Sequence, residues 1–222
     1  MSLTDAEKLM HTTVRLECLL ASGDVSTGTG FFFRFRIDDQ THIPVIVTNK
    51  HVIKGSVKGT FVLTKVDTND QPIIGAYEKI EIDDFENKWI KHPETDVDLA
   101  IFAIAPLLLH AEANKIRFFT PSLEESHIPS KQQLNDLSGL EDITMIGYPN
   151  GIWDEKNNMP IIRKGITATS PKYNYNGLPV FVIDCACFPG SSGSPVLVFN
   201  QGGYTDARGN TYMGVRNEKP IR

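Results

Sequence analysis

Short apolar runs, broken repeatedly by turn-forming clusters, constrain this chain more than any other feature. Residues 14–20 alternate and end at Ala21-Ser22-Gly23-Asp24. Residues 31–37 interleave aromatic positions with Arg34 and Arg36, and runs at 45–48, 61–66, 79–82 and 99–104 follow. Asp67-Thr68-Asn69-Asp70 is a turn cluster between two of them. A repeat of two places alternate side chains on one face of a strand, so many short runs of this kind predict an all-β barrel or sandwich. Two stretches depart from the pattern. Thr4-Asp5-Ala6-Glu7 forms a capping box that opens a short helix over residues 6–10. Residues 106–140 are richer in Leu, Glu, Gln, Lys and Ala, and 107–114 and 123–127 read as helical turns. This segment connects two β units. The first spans residues 1–120; the second, residues 121–222, includes the connector and resumes with runs at 143–146, 161–169, 180–183, 195–199 and 212–215. Gly147-Tyr148-Pro149-Asn150-Gly151 and Gln201-Gly202-Gly203 read as turns.

Composition narrows the partners. With 41% hydrophobic and 22% charged residues among 222, a packed core is expected. A net charge of -5 leaves no basic excess to neutralise phosphates, so neither a nucleic acid nor an anionic membrane is an expected partner. The longest apolar stretch, 99–109, is interrupted by Pro106 and falls short of the roughly 20 residues a span needs. The N-terminus carries no basic segment followed by an apolar one, so the expected location is cytoplasmic, unless the first residues stand in for a removed leader. Cys18, Cys185 and Cys187 are too few and too oddly spaced for a disulfide framework or a zinc site, and read as buried free thiols.

Three runs carry chemistry. Hydrolysis at a serine needs a hydroxyl beside a general base, a carboxylate that orients the base, and backbone N–H groups facing the developing oxyanion. Gly190-Ser191-Ser192-Gly193-Ser194-Pro195 flanks a serine with glycines, which permit a tight turn and close approach of a substrate; alone it also reads as a flexible loop. Ile46-Val47-Thr48-Asn49-Lys50-His51-Val52-Ile53 places a histidine directly after a buried strand. Asp96-Val97-Asp98-Leu99-Ala100-Ile101-Phe102 places an acid at the mouth of an apolar strand, with Asp98 preferred and Asp96 as the alternate.

Together these runs resemble the catalytic blocks of trypsin/chymotrypsin-fold serine peptidases, in that family's order of His, Asp, Ser. The separations are 47 residues (98 − 51) and 94 residues (192 − 98). The order excludes the α/β-hydrolase arrangement. Gly28-Thr29-Gly30-Phe31-Phe32 resembles the glycine-aromatic strand before the histidine in bacterial members, and Gly147-Tyr148-Pro149 with Gly165-Ile166 resembles a hairpin of the second barrel. The resemblance covers about residues 12–215 and implies two packed six-stranded antiparallel Greek-key barrels. It also implies a serine endopeptidase acting on proteins or peptides through an acyl-enzyme. Ser192 would be its nucleophile, His51 its base and Asp98 the orienting acid. The amides of Gly190 and Ser192, with Ser191 between them, would form the oxyanion hole. No metal or organic cofactor is implied.

The departures refine this. Digestive members carry an acid before the nucleophile that pairs with a newly cut N-terminus; Ser191 stands there, so no activation cleavage is expected. Val52 follows His51 where those enzymes have a disulfide cysteine. The pattern is closer to high-temperature-requirement-like and glutamyl-endopeptidase-like members. The resemblance places Ala186, Cys187 and Pro189 along the substrate pocket and puts Ala186 at its base, which argues against Lys/Arg preference and for a small or apolar residue. A shifted alignment would bring Asp184 in. Trp89 and Trp153 read as packing anchors, His92 as a loop residue, and His11, His42, His110 and His127 as surface residues. Family members continue past the 213–215 strand, whereas this sequence stops at Arg222. The alternative function is therefore a catalytically silent trypsin-like domain that serves as a binding or regulatory module.

Overall fold

In a computed structural model, residues 3–200, 202–205 and 210–213 are described. Gln201, the expected strand continuation at Gly214 and Val215, and residues 216–222 lie outside them. The chain divides into two compact units. The first comprises residues 1–124, 146–161 and 188–194; the second comprises 125–145, 162–187 and 195–222. The expected division fell at residue 120, with the nucleophile on the far side of it. Here the segment carrying Ser192 groups with the N-terminal unit.

Six long strands build the first unit: β1 (Thr13–Leu20), β2 (Val25–Arg36), β3 (His42–Thr48), β4 (Ser56–Val66), β5 (Pro72–Asp83) and, after the two-residue β6 (Ile90–Lys91), β7 (Ala100–Ala103). Their hydrogen-bonded order is β5-β4-β1-β2-β3-β7-β6. All these pairs are antiparallel. The pleat sorts their side chains. Val14, Leu16 and Cys18 of β1 point inward and meet Ile46, Ile53, Phe61, Leu63 and Phe102. Each such side chain contributes about 2 kcal/mol through burial. Glycines make room where the wall is tight. A Cβ on Gly59 would lie 2.2 Å from the Phe85 ring, and one on Gly28 would lie 2.3 Å from Val52 Cγ1. Trp89 packs edge-on against Phe85 and beside Phe102, as an anchor should.

Helix α1 (Asp5–Met10) has the expected box: Thr4 Oγ1 accepts the Glu7 N–H, and the Glu7 carboxylate accepts the Thr4 N–H. Helix α2 (Lys50–Ile53) is a single turn after β3, and α3 (Ala105–Ala113) covers most of the predicted 107–114 turn. Residues 123–127 differ from their helical expectation. Leu123–Glu124 forms β8, parallel to β2 with Leu123 opposite Phe33, and only Glu125–His127 turns into a 3-10 helix. Burial of Leu123 in the strand pairing outweighs local helix propensity. His11 was expected at the surface but is 5% exposed, with its ring edge-on to Phe119. His127 is half-buried rather than exposed.

The second unit holds α4 (Lys131–Asp136), β9 (Asp142–Gly147, whose last two residues count with the first unit), β10 (Ile161–Thr167), β11 (Ile183–Asp184) and β12 (Val196–Leu197), ordered β11-β10-β9-β12. β13 (Gly203–Thr205) pairs with β14 (Thr211–Met213). Helix α4 opens on a capping box from Ser130 and Gln133, a signal present in the sequence but unread there. Leu137, Ile143 and Val198 form this unit's core, with Phe181, Ile183 and Val196 against them. Cys185 is half-buried and Cys187 exposed, so of the three thiols expected inside only Cys18 is buried. Burial pushes the Cys18 thiol up to about 12. The fold is thus all-β and chymotrypsin-like.

Candidate active site

His51 owes its position to the residues around it. Val52 and Ile53 sink into the core and pin α2, which leaves His51 on the outward side of the turn with its side chain 56% exposed. The absent side chain at Gly28 is the space Val52 occupies. Asp98 arrives from the other side. The β3–β7 register sets Ala100 opposite Thr48, so the residue two before Ala100 meets the residue three after Thr48. The Asp98 carboxylate then takes two bonds from His51: the backbone N–H at 3.1 Å on Oδ1, and Nδ1 at 2.5 Å on Oδ2. Asn49 Nδ2 donates to the Asp98 carbonyl at 2.7 Å, and Lys50 Nζ to that of Glu94 at 2.6 Å, bracing the loop before β7. The Asp98 side chain is 46% exposed. Asp96 is exposed, and the hydrogen bonds of His51 to a carboxylate among the described residues go to Asp98.

The acceptor on the imidazole follows from this. A carboxylate can only accept, so Nδ1 carries the proton and Nε2 presents a lone pair.

The Ser192 turn is built just as specifically. Gly190 and Gly193 have φ of +86° and +84°, conformations that L side chains rarely adopt. Ser191 closes the turn on itself: its N–H donates to Phe188 O at 2.9 Å, and its hydroxyl accepts the Phe188 N–H at 3.1 Å. Of the three residues assigned to the oxyanion hole, Ser191 thus spends its amide within the turn. No hydrogen-bond partner is found for the N–H of Gly190 or Ser192 among the described residues.

Of the expected pocket residues, Ala186 and Cys187 are exposed in the second unit, and Pro189 is exposed in the first. Arg163 Nη1 donates to Ala186 O at 2.6 Å. Trp153 is held between the Arg15 guanidinium, 5.9 Å above its ring, and Tyr77. Among the described residues no group of three or more His, Cys, Asp or Glu is arranged to hold a metal ion, and no helix is long and apolar enough to cross a membrane. Four residues that touch the site escaped sequence reasoning: Thr29, Thr48, Asn49 and Asn150. All lie in quoted motifs, but only their hydrogen bonds reveal what they do, through the side chains of Thr29, Thr48 and Asn49 and the backbone N–H of Asn150.

Residues 28–204 match the family model described as a trypsin-like peptidase domain. The chain belongs to the trypsin-like peptidase family. The matched span begins at the glycine under Val52 and includes His51, Asp98 and Ser192. No curated protein matches the sequence. Among solved structures, the HtrA-type protease AlgW with a tripeptide is similar to this trypsin-like peptidase at 17% identity, over 90% of this chain and 49% of its own, with a TM-score of 0.48. The Rv3671c protease from M. tuberculosis in its active form is similar at 17% identity, over 95% and 78%, with a TM-score of 0.47. The serine endoprotease from Yersinia pestis is similar at 15% identity, over 97% and 62%, with a TM-score of 0.44. This trypsin-like peptidase spans about half the length of the first of these chains.

Proposed function

We propose that the chain is a serine endopeptidase that cleaves peptide bonds in proteins or peptides through an acyl-enzyme, with Ser192, His51 and Asp98 as its triad. The observation that carries this reading is the two-point hold of Asp98 on His51, at the backbone N–H and at Nδ1. It fixes both the orientation and the tautomer that a general base needs. As Ser192 Oγ bonds to the scissile carbonyl carbon, its proton passes to His51 Nε2. The carbonyl oxygen becomes an oxyanion facing the free amides of Gly190 and Ser192. Collapse breaks the C–N bond, and His51 returns the proton to the departing amine. Water then repeats the sequence to release the acid.

The self-closed Ser191 turn supports activity without a cut N-terminus, because the position before the nucleophile is already engaged with Phe188. Digestion of a proteome-derived peptide library tests the reading. New termini should appear with the wild-type protein and vanish with Ser192→Ala. Equal cleavage by both, or cleavage by neither, overturns it.

A further inference from the structure

We propose that the Thr29 hydroxyl is a positioning group that locks the oxyanion-binding amides of the Ser192 turn into register; this rests on the serine peptidase reading above.

In a trans peptide the N–H and C=O point in opposite directions, so a pinned carbonyl aims the amide of the same peptide. Pro189 O accepts the Asn150 N–H at 2.5 Å, which turns the Gly190 N–H the other way. Ser191 O accepts the Ser194 N–H at 3.0 Å, which does the same for the Ser192 N–H. Two peptides remain in the turn, Gly190–Ser191 and Ser192–Gly193, and Thr29 holds the carbonyls of both. Its Oγ1 donates to Gly190 O at 2.9 Å, and its N–H donates to Ser192 O at 2.9 Å. The second bond is open to any residue but proline. The first needs a hydroxyl.

That hydroxyl has no freedom of its own. Oγ1 accepts the Tyr148 N–H at 3.1 Å, which directs its proton toward Gly190. The Thr29 carbonyl accepts Thr48 Oγ1 at 2.7 Å. Thr29 and Thr48 are fully buried, so water cannot substitute for these partners. The anchor matters because glycine resists peptide rotation least, and Gly190 sits at φ +86°. The strands explain why position 29 is available. Gly28 and Gly30 face the core beside Val52 and Ile46, so Thr29 faces away from it. β3 leaves β2 after Val47 to form α2, which frees the Thr29 N–H for Ser192.

Thr29→Val keeps the branched shape and removes the hydroxyl. The expected result is a kcat about 10²-fold lower at unchanged KM, the size of losing one oxyanion donor. Affinity for a peptide aldehyde, whose hemiacetal places an oxyanion on the same amides, should fall in parallel. The pH midpoint of kcat/KM should not move, since the His51–Asp98 pair is untouched. Thr29→Ser should restore kcat. Should Thr29→Val fail to fold by thermal melt, Thr29→Cys, with a weaker donor, takes its place and is expected to lose kcat at constant KM. Wild-type kcat and aldehyde affinity in the hydroxyl-free variant, or a Thr29→Ser enzyme as impaired as it, overturns the positioning role alone. A wild-type protein that neither cleaves peptides nor reacts with a fluorophosphonate at Ser192 overturns the peptidase reading and this role together.

Discussion

Asp98→Asn changes one atom and leaves the shape of the site intact. Asp98 presents two acceptors to His51, Oδ1 to the backbone N–H at 3.1 Å and Oδ2 to Nδ1 at 2.5 Å. Asparagine has one acceptor and one donor. The backbone N–H cannot invert, so it retains the amide oxygen, and the NH₂ group must face Nδ1. The imidazole answers by moving its proton to Nε2, the atom that has to receive the Ser192 proton. An amide in place of the triad acid costs about 10⁴-fold in kcat, or about 5 kcal/mol of barrier. Stability should change little, because both side chains are about half exposed and such pairs contribute less than about 1 kcal/mol. The assay is initial-rate hydrolysis of a peptide substrate across pH, alongside a thermal melt. A rate within tenfold of wild type with an unchanged melt would refute the reasoning, and Asp96→Asn should leave the rate intact.

Gly193→Ala should cost about 3 kcal/mol or more and abolish cleavage, since its Cβ would lie 1.9 Å from Thr29 O at a φ of +84°; chemical denaturation reads this out. Among the described residues Ser194 Oγ is buried with no hydrogen-bond partner, so Ser194→Ala should raise stability by about 1 kcal/mol and the melting temperature by about 2–4 °C; a lower melting temperature contradicts this. Burial holds the His11 imidazole below its ordinary value. The unfolded chain then takes up a proton below about pH 6.5 before the folded one does, so this contribution is full above that pH and lost as pH falls through the folded value. His11→Phe should flatten the acid side of a stability–pH curve.

Much of the fold could be read because period-two alternation survives in the long strands: Val14, Leu16 and Cys18 point inward as their spacing predicts. Residues 123–127 misled because two residues of β8 give no periodicity, and their conformation is decided by Phe33 on a distant strand. His11 looked exposed because nothing near it in sequence announces Phe119, which covers it. His51 and Asp98 could be named from order and spacing, yet the choice of Asp98 over Asp96 becomes physical only through the register of Ala100 on Thr48. Thr29 shows the limit. The Gly-Thr-Gly run could be read only as part of a family-like strand, because the groups the threonine holds lie more than a hundred residues away in sequence.

Reaction with a fluorophosphonate, followed by intact mass and peptide mapping, tests the triad most directly. One adduct per chain, on Ser192, abolished by Ser192→Ala and strongly slowed by His51→Ala and Asp98→Asn, is the predicted result. No adduct on folded wild-type protein, or an adduct whose rate ignores His51 and Asp98, would contradict it.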